Sequence, residues 1–128
     1  MMEGETIIPN NLDRSFKNPG TLLDLDTGKK YKLKVGEQTV GRKDDDEDGH
    51  DKPDVAIATK DKYMSHIHLH INVEEQGEKF YHSFRVDSNT KNATYLNGVE
   101  VKRNKKDFLD INQVLSMPLA KIQIIDED

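Results

Sequence analysis

Short runs in which every second residue is apolar, each cut off by turn residues, constrain this chain more than any other feature. Side chains on a strand point to opposite faces in turn, so a half-buried strand reads as strict alternation. Ile67, Leu69, Ile71 and Val73 follow that rule over Ile67 to Glu74. Phe80, His82, Phe84 and Val86 repeat it over Lys79 to Asp87, and Gln76-Gly77 between the two runs makes a turn. Tyr31, Leu33 and Val35 share a face over Lys30 to Val35, where Gly36 ends the run. Further strands are expected at Thr21 to Asp26, Glu37 to Arg42, Val55 to Ala58, Val114 to Met117 and Leu119 to Ile125. Pro118 falls in the last gap, where its missing N–H costs little. Asn97-Gly98 stands between Tyr95-Leu96 and Val99-Glu100-Val101. Both residues of a two-residue hairpin turn need positive φ, which is why Asn-Gly signals one. No stretch carries a helical period. The expected fold is all-β, a sandwich or small barrel, as one domain over residues 21–128. Residues 1–20 show no sustained period and are expected to form an N-terminal tail or arm.

Charge is partitioned along the chain. The 24 acids and 19 bases give a net charge of −5. Seven of the acids, and one base, lie between Asp44 and Asp54, and three more acids end the chain at Asp126, Glu127 and Asp128. Outside those two segments 14 acids face 18 bases, so an acidic segment is set into a mildly basic body. That pattern argues against a nucleic-acid binder with one uniform basic face and leaves room for a small anion site. No apolar run is long enough to cross a membrane as a helix, and the start lacks a basic, then apolar, leader pattern. Cysteine is absent, which removes disulfides, zinc–thiolate sites and thiol nucleophiles. A cytoplasmic location is expected.

Four short pieces then stand in a telling order. Gly41-Arg42 closes a strand. Ser65-His66-Ile67-His68 precedes an alternating run. Asp87-Ser88-Asn89-Thr90-Lys91-Asn92-Ala93-Thr94-Tyr95-Leu96-Asn97-Gly98 forms a long loop and hairpin. Leu109, Asn112-Gln113-Val114 and a closing strand follow. In that order, on an all-β texture, they resemble the forkhead-associated (FHA) family of phosphothreonine-binding domains over about residues 21–125. The resemblance implies an FHA-like (SMAD/FHA) β-sandwich of two sheets, about eleven strands, with recognition loops at one end. It also implies a function: a non-catalytic adaptor in Ser/Thr kinase signalling that binds phosphothreonine on a partner protein.

The residue types suit that task. A phosphothreonine carries about −1.5 to −2 charge and three acceptor oxygens, so it calls for a fixed cation and several donors. Arg42 offers a planar fork of N–H groups and Ser65 a hydroxyl. By the resemblance, Asn92 holds the peptide backbone, and His66 and Lys91 stand where further phosphate contacts belong. His68 matches a bracing histidine. Gly41, Thr94, Asn97 and Gly98 belong to the scaffold of the loops. Three positions depart from the pattern. Ala93 replaces a usual Gly, which strains the loop if φ is positive there. His66 replaces the commoner Arg or Asn. Asn112-Gln113 replaces a late Gly-Asp, a change expected to affect a turn rather than binding.

Asp44, Asp46, Asp48 and Gly49 reproduce the opening of an EF-hand loop, but Val55 stands where the bidentate Glu belongs. A solvated acidic loop is expected there, one that repels acidic phosphopeptides and favours flanking Lys or Arg. His66, His68 and His70 fall on one strand face by their spacing, and such a row can hold zinc; here one bracing and two partly exposed histidines are expected. Lys102-Arg103-Asn104-Lys105-Lys106 reads as a solvated loop, without the interleaved aromatics of a nucleic-acid site. Thr6 stands where a regulatory phosphothreonine would by analogy. No nucleophile–base motif appears, so no enzyme activity and no cofactor are expected. Two rival readings stand beside the main one: a domain of the same fold that binds an unphosphorylated partner, and a metal-binding β-sandwich.

Overall fold

In a computed structural model the structure describes residues 14–43, 52–61, 63–117 and 119–128. The acidic run Asp44 to Asp51, Thr6 and Pro118 lie outside the described residues. Among the described residues eleven strands form two sheets: β1 (Thr21–Asp24), β2 (Lys30–Lys32), β3 (Gly36–Arg42), β4 (Val55–Ile57), β5 (Leu69–Gln76), β6 (Lys79–Val86), β7 (Thr94–Leu96), β8 (Val99–Val101), β9 (Asp107–Phe108), β10 (Val114–Met117) and β11 (Ala120–Ile125). The six-stranded sheet has the order β2-β1-β11-β10-β7-β8, and the five-stranded sheet has the order β4-β3-β5-β6-β9. The expected two-sheet FHA-like sandwich is the fold observed. Among the described residues no helix is long and apolar enough to cross a membrane.

The core lies between the sheets and follows the alternation. Leu69, Ile71 and Val73 of β5 and Phe84 and Val86 of β6 face Leu115, Met117, Ile122 and Ile124 of the opposite sheet, all of them buried. Burying one such side chain fully stabilises the fold by about 1.5–3 kcal/mol. Asn97 and Gly98 take the positive φ of the hairpin turn, 49° and 85°.

Several boundaries differ from expectation. The run from Lys30 does not reach Val35: β2 stops at Lys32, and Val35 is 51% exposed. The Gln38 side chain causes the early stop. It accepts from Lys34 N and donates to the Lys34 and Gly36 carbonyls, which bends 34–38 into a side-chain-braced turn. Gly36 therefore opens β3 rather than merely ending β2. Ile67 lies outside β5, which starts at Leu69. The two-residue β9 has no alternation to read; it is a strand because Ser83 and Phe84 of β6 pair with Phe108 and Asp107. Within residues 14–20, Phe16 is 1% exposed and exchanges both backbone hydrogen bonds with Phe80. Its ring lies 3.9 Å from that of His82, so this segment contributes a core residue.

The register decides where the loops meet. Val40 pairs with Leu69, and Leu69 pairs with Val86. The end of β3, the segment before β5 and the segment after β6 therefore converge at one end of the five-stranded sheet. Those three places hold Arg42, Ser65–His68 and Asp87–Asn92.

Candidate functional site

Gly41 is what lets two of these segments touch. A Cβ on it would sit 1.7 Å from the His66 carbonyl oxygen and 2.9 Å from that of Ser65. No other residue leaves room for the backbone before β5 to cross β3 here. The crossing is closed by Arg42 N–H donating to Ser65 O at 3.0 Å. Arg42 then points along the crossing segment. Its Nε donates to Met64 O at 3.0 Å, and Nη2 lies 3.1 Å from His66 Nε2. A guanidinium can only donate, so that contact uses the His66 Nε2 lone pair. Two contacts fix the plane of the fork.

His68 holds the segment from below. It is fully buried. Its Nδ1 accepts the Ser65 N–H at 3.1 Å, so the ring proton resides on Nε2, which donates to Thr94 Oγ1 at 2.7 Å. Burial is the main reason its pKa falls to about 4, with Asp61 and Asp87 pulling weakly the other way. The His68 carbonyl accepts from Asp87 N–H and from Thr90 Oγ1, which ties the segment after β6 to the same ring-bearing residue. Asn92 Nδ2 closes the ring of contacts by donating to Tyr63 O at 3.0 Å.

The result is an open pocket of about 510 Å³. Arg42, Ser65, His66, Lys91 and Asn92 all line it, together with Tyr63, Met64, Ile67, Asp87 and Asn89. Every side chain expected to touch a phosphopeptide is thus brought to one wall or another of a single pocket. The residues expected to act as scaffold divide. Gly41 packs under the Ser65 and His66 carbonyls, and His68 links the Ser65 N–H to Thr94. Asn97 and Gly98 turn at the far end of β7, where Asn97 exchanges hydrogen bonds with Val114.

The departures from the family pattern can now be placed. Ala93 is not among the residues with positive φ, so its Cβ meets no left-handed strain. Asn112 takes φ 69° in the turn before β10, the conformation that a glycine would otherwise supply. His68 is the buried, bracing histidine and His66 and His70 are partly exposed, as expected, but the three do not share one strand face. Only His70 lies on β5; His66 reaches Arg42, His68 is turned into the core, and His70 faces out to Asp87 at 2.8 Å and Glu37 at 3.6 Å. Among the described residues no three His, Asp or Glu side chains converge as metal ligands.

Two residues at the site escaped the sequence reading. Asp61 is buried and accepts three backbone N–H groups, from Tyr63, Leu119 and Ala120. It anchors the Tyr63–Ser65 wall to the β10–β11 turn. Asp87 lines the pocket with a carboxylate. Burial works against its charge, yet hydrogen bonds from His70 and the Asn89 N–H outweigh that and hold its pKa below the ordinary value. The Asp87-Ser88-Asn89 spacing was the only signal available for it, as an Asx turn.

A family model for the FHA domain matches residues 38–117. A search of curated proteins finds no match. Among solved structures, the MEK1 FHA domain in complex with a phosphothreonine peptide of HOP1 is 18% identical, with a TM-score of 0.65 over 87% of this chain and 99% of that one. The FHA domain of the CT664 protein from Chlamydia trachomatis is 19% identical, with a TM-score of 0.66 over 85% of this chain and 98% of that one. The FhaA FHA domain, complexed with the intracellular domain of another protein, is 24% identical, with a TM-score of 0.62 over 82% and 98%. The family match runs from β3 through β10, and by it this chain belongs to the FHA-domain family.

Proposed function

We propose that this chain is a non-catalytic module that binds a phosphothreonine-containing segment of a partner protein, as an adaptor in cytoplasmic Ser/Thr kinase signalling. One observation carries the reading: Arg42, Ser65, His66, Lys91 and Asn92 line the same pocket. A phosphate dianion needs a cation whose donors are already aimed. Of the five guanidinium N–H bonds, those used on Met64 O and His66 Nε2 lock the fork, and the remaining three serve the phosphate. Ser65 adds a hydroxyl, Lys91 a second charge, and Asn92 an amide for the peptide backbone. The solved MEK1 FHA domain carries a phosphothreonine peptide, which supports the same use of this fold.

Threonine is favoured over serine by the apolar part of the wall. Ile67, half-buried, lines the pocket beside the polar groups and offers contact to the γ-methyl. A methyl in a fitted pocket is worth about 1–3 kcal/mol, or about tenfold and more in affinity. Fluorescence anisotropy with a phosphothreonine peptide, its phosphoserine analogue and its unphosphorylated twin tests the reading. Phosphothreonine binding that falls at least about thirtyfold in Arg42→Ala, with the fold checked by circular dichroism, is the expected result. Equal binding of the unphosphorylated twin would replace it with an FHA-fold interface for an unmodified partner.

A further inference from the structure

A carboxylate stands in the wall of a pocket built for an anion. Asp87 lines the same space as Arg42 and Lys91. A charge of the phosphate's own sign opposes the ligand there, and a carboxylate free to turn would compete with phosphate for both cations. Asp87 is not free to turn. Its Oδ2 accepts the Asn89 N–H at 2.9 Å, and its Oδ1 lies 2.8 Å from His70 Nε2. A carboxylate only accepts, so the His70 ring proton of this bond sits on Nε2. Burial opposes the charge on Asp87, yet these bonds keep its pKa below the ordinary value, so it is ionised wherever phosphate is.

The strand places His70 for this. It alternates with buried Leu69 and Ile71, so it faces away from the core, and it pairs with Thr39 of β3 and Arg85 of β6. Its Nδ1 stands 3.6 Å from Glu37, which also takes Arg85 Nη2 at 3.4 Å. Arg85 is therefore directed at Glu37, and the bond from the sheet to the Asp87 carboxylate comes from His70. The two side chains are only 16% and 18% exposed, so salt screens this bond less than one in open water. The backbone of Asp87 is held separately: its N–H donates to His68 O, and its carbonyl accepts the Thr90 N–H. Cutting the His70 bond thus leaves the loop anchored and releases the carboxylate. Resting on the phosphopeptide reading above, we propose that His70 is a positioning residue for phosphate binding: it holds the Asp87 carboxylate toward the outer face of the sheet, away from the cations that phosphate needs. His70 acts through Asp87 and touches no ligand.

The test uses the whole chain, a phosphothreonine peptide in a neutral Ala/Ser background and its unphosphorylated twin. Anisotropy at low and high salt compares the natural chain with His70→Leu, His70→Gln and His70→Leu/Asp87→Asn, each checked for its fold by circular dichroism. His70→Leu frees the carboxylate and is expected to weaken phosphopeptide binding about threefold or more at low salt, with a smaller loss at high salt. His70→Gln keeps an N–H donor on the same strand face and should restore most of the affinity. Asn at position 87 still makes the turn to Asn89 but carries no charge, so Asp87→Asn added to His70→Leu should recover the natural affinity. Ring-nitrogen chemical shifts of the natural chain should place a proton on His70 Nε2. If His70→Leu binds the phosphopeptide as the natural chain does, the inference is refuted and the phosphothreonine reading stands. A loss that is equal at both salts, or that Asp87→Asn does not recover, makes His70 a support of the fold alone and refutes the inference as well, as does a bare Nε2. If the natural chain binds the phosphopeptide no better than its twin, the phosphothreonine reading falls and the inference falls with it.

Discussion

Acid should unfold this domain through His68 before it disturbs most carboxylates. The ring is fully buried, and Nδ1 is occupied by the Ser65 N–H while Nε2–H is given to Thr94. A second proton at Nδ1 would eject the Ser65 bond and leave a charge in the core. The folded chain therefore binds that proton only near pH 4, against 6.5 for an ordinary histidine. Between those values the unfolded chain holds more protons, so stability rises with pH across the window. It is fully present above about 6.5 and is lost as pH falls toward 4. Each pH unit well inside the gap costs about 1.4 kcal/mol; the cumulative loss is about 2 kcal/mol at pH 5 and about 3 kcal/mol at pH 4. His82 adds in the same direction, since burial also lowers its pKa. Urea unfolding from pH 7 to pH 5, for the natural chain and His68→Gln, isolates the effect. The variant is expected to be less stable at pH 7 and to show a clearly shallower pH slope. A folded-state NMR titration of His68 should show no midpoint above pH 5. A midpoint near 6.5, or identical slopes in the two chains, would refute the reasoning.

Further outcomes follow from the same geometry. Gly41→Ala puts a Cβ 1.7 Å from the His66 carbonyl, so the segment before β5 must lift; a stability loss of about 3 kcal/mol with loss of phosphopeptide binding is expected, read by urea melts and anisotropy. Asp61→Ala strips three backbone N–H groups of their acceptor and should cost about 3 kcal/mol, with the Tyr63–Ser65 amides exchanging faster by hydrogen-exchange NMR. Neutralising Asp44, Asp45 and Asp46 should tighten phosphopeptide binding at low salt and leave it unchanged at high salt, because salt screens charge–charge interactions across water beyond about 8 Å at physiological ionic strength. Affinity that is indifferent to both changes would exclude a role for the acidic run.

The parts of the fold that were legible are those where local chemistry and long-range packing agree. Ile71 and Phe84 alternate because β5 and β6 each bury one face, and Asn97-Gly98 turns because those two residues tolerate positive φ. Arg42, Ser65 and Asn92 were readable as a set because their order along the chain survives folding into one pocket. What stayed hidden depends on partners far away in sequence. Asp61 looks like any charged loop residue until Leu119 and Ala120 donate to it from 58 and 59 positions on. β9 is a strand only because β6 offers an edge, and Val35 left its expected face because the Gln38 side chain, not a neighbouring strand, satisfies the backbone there. Asp87 falls within the loop motif, but its place in the pocket wall follows from His70 on the outer face of the sheet, which no local pattern reveals.

The central claim is that the pocket beside Gly41 reads phosphothreonine. An amide NMR titration of the isotope-labelled chain, with a degenerate phosphothreonine peptide pool beside its unphosphorylated counterpart, tests it most directly. The account predicts that only the phosphorylated pool shifts Arg42, Ser65, Lys91 and Asn92. Shifts at those residues from both pools, or from neither, would contradict it.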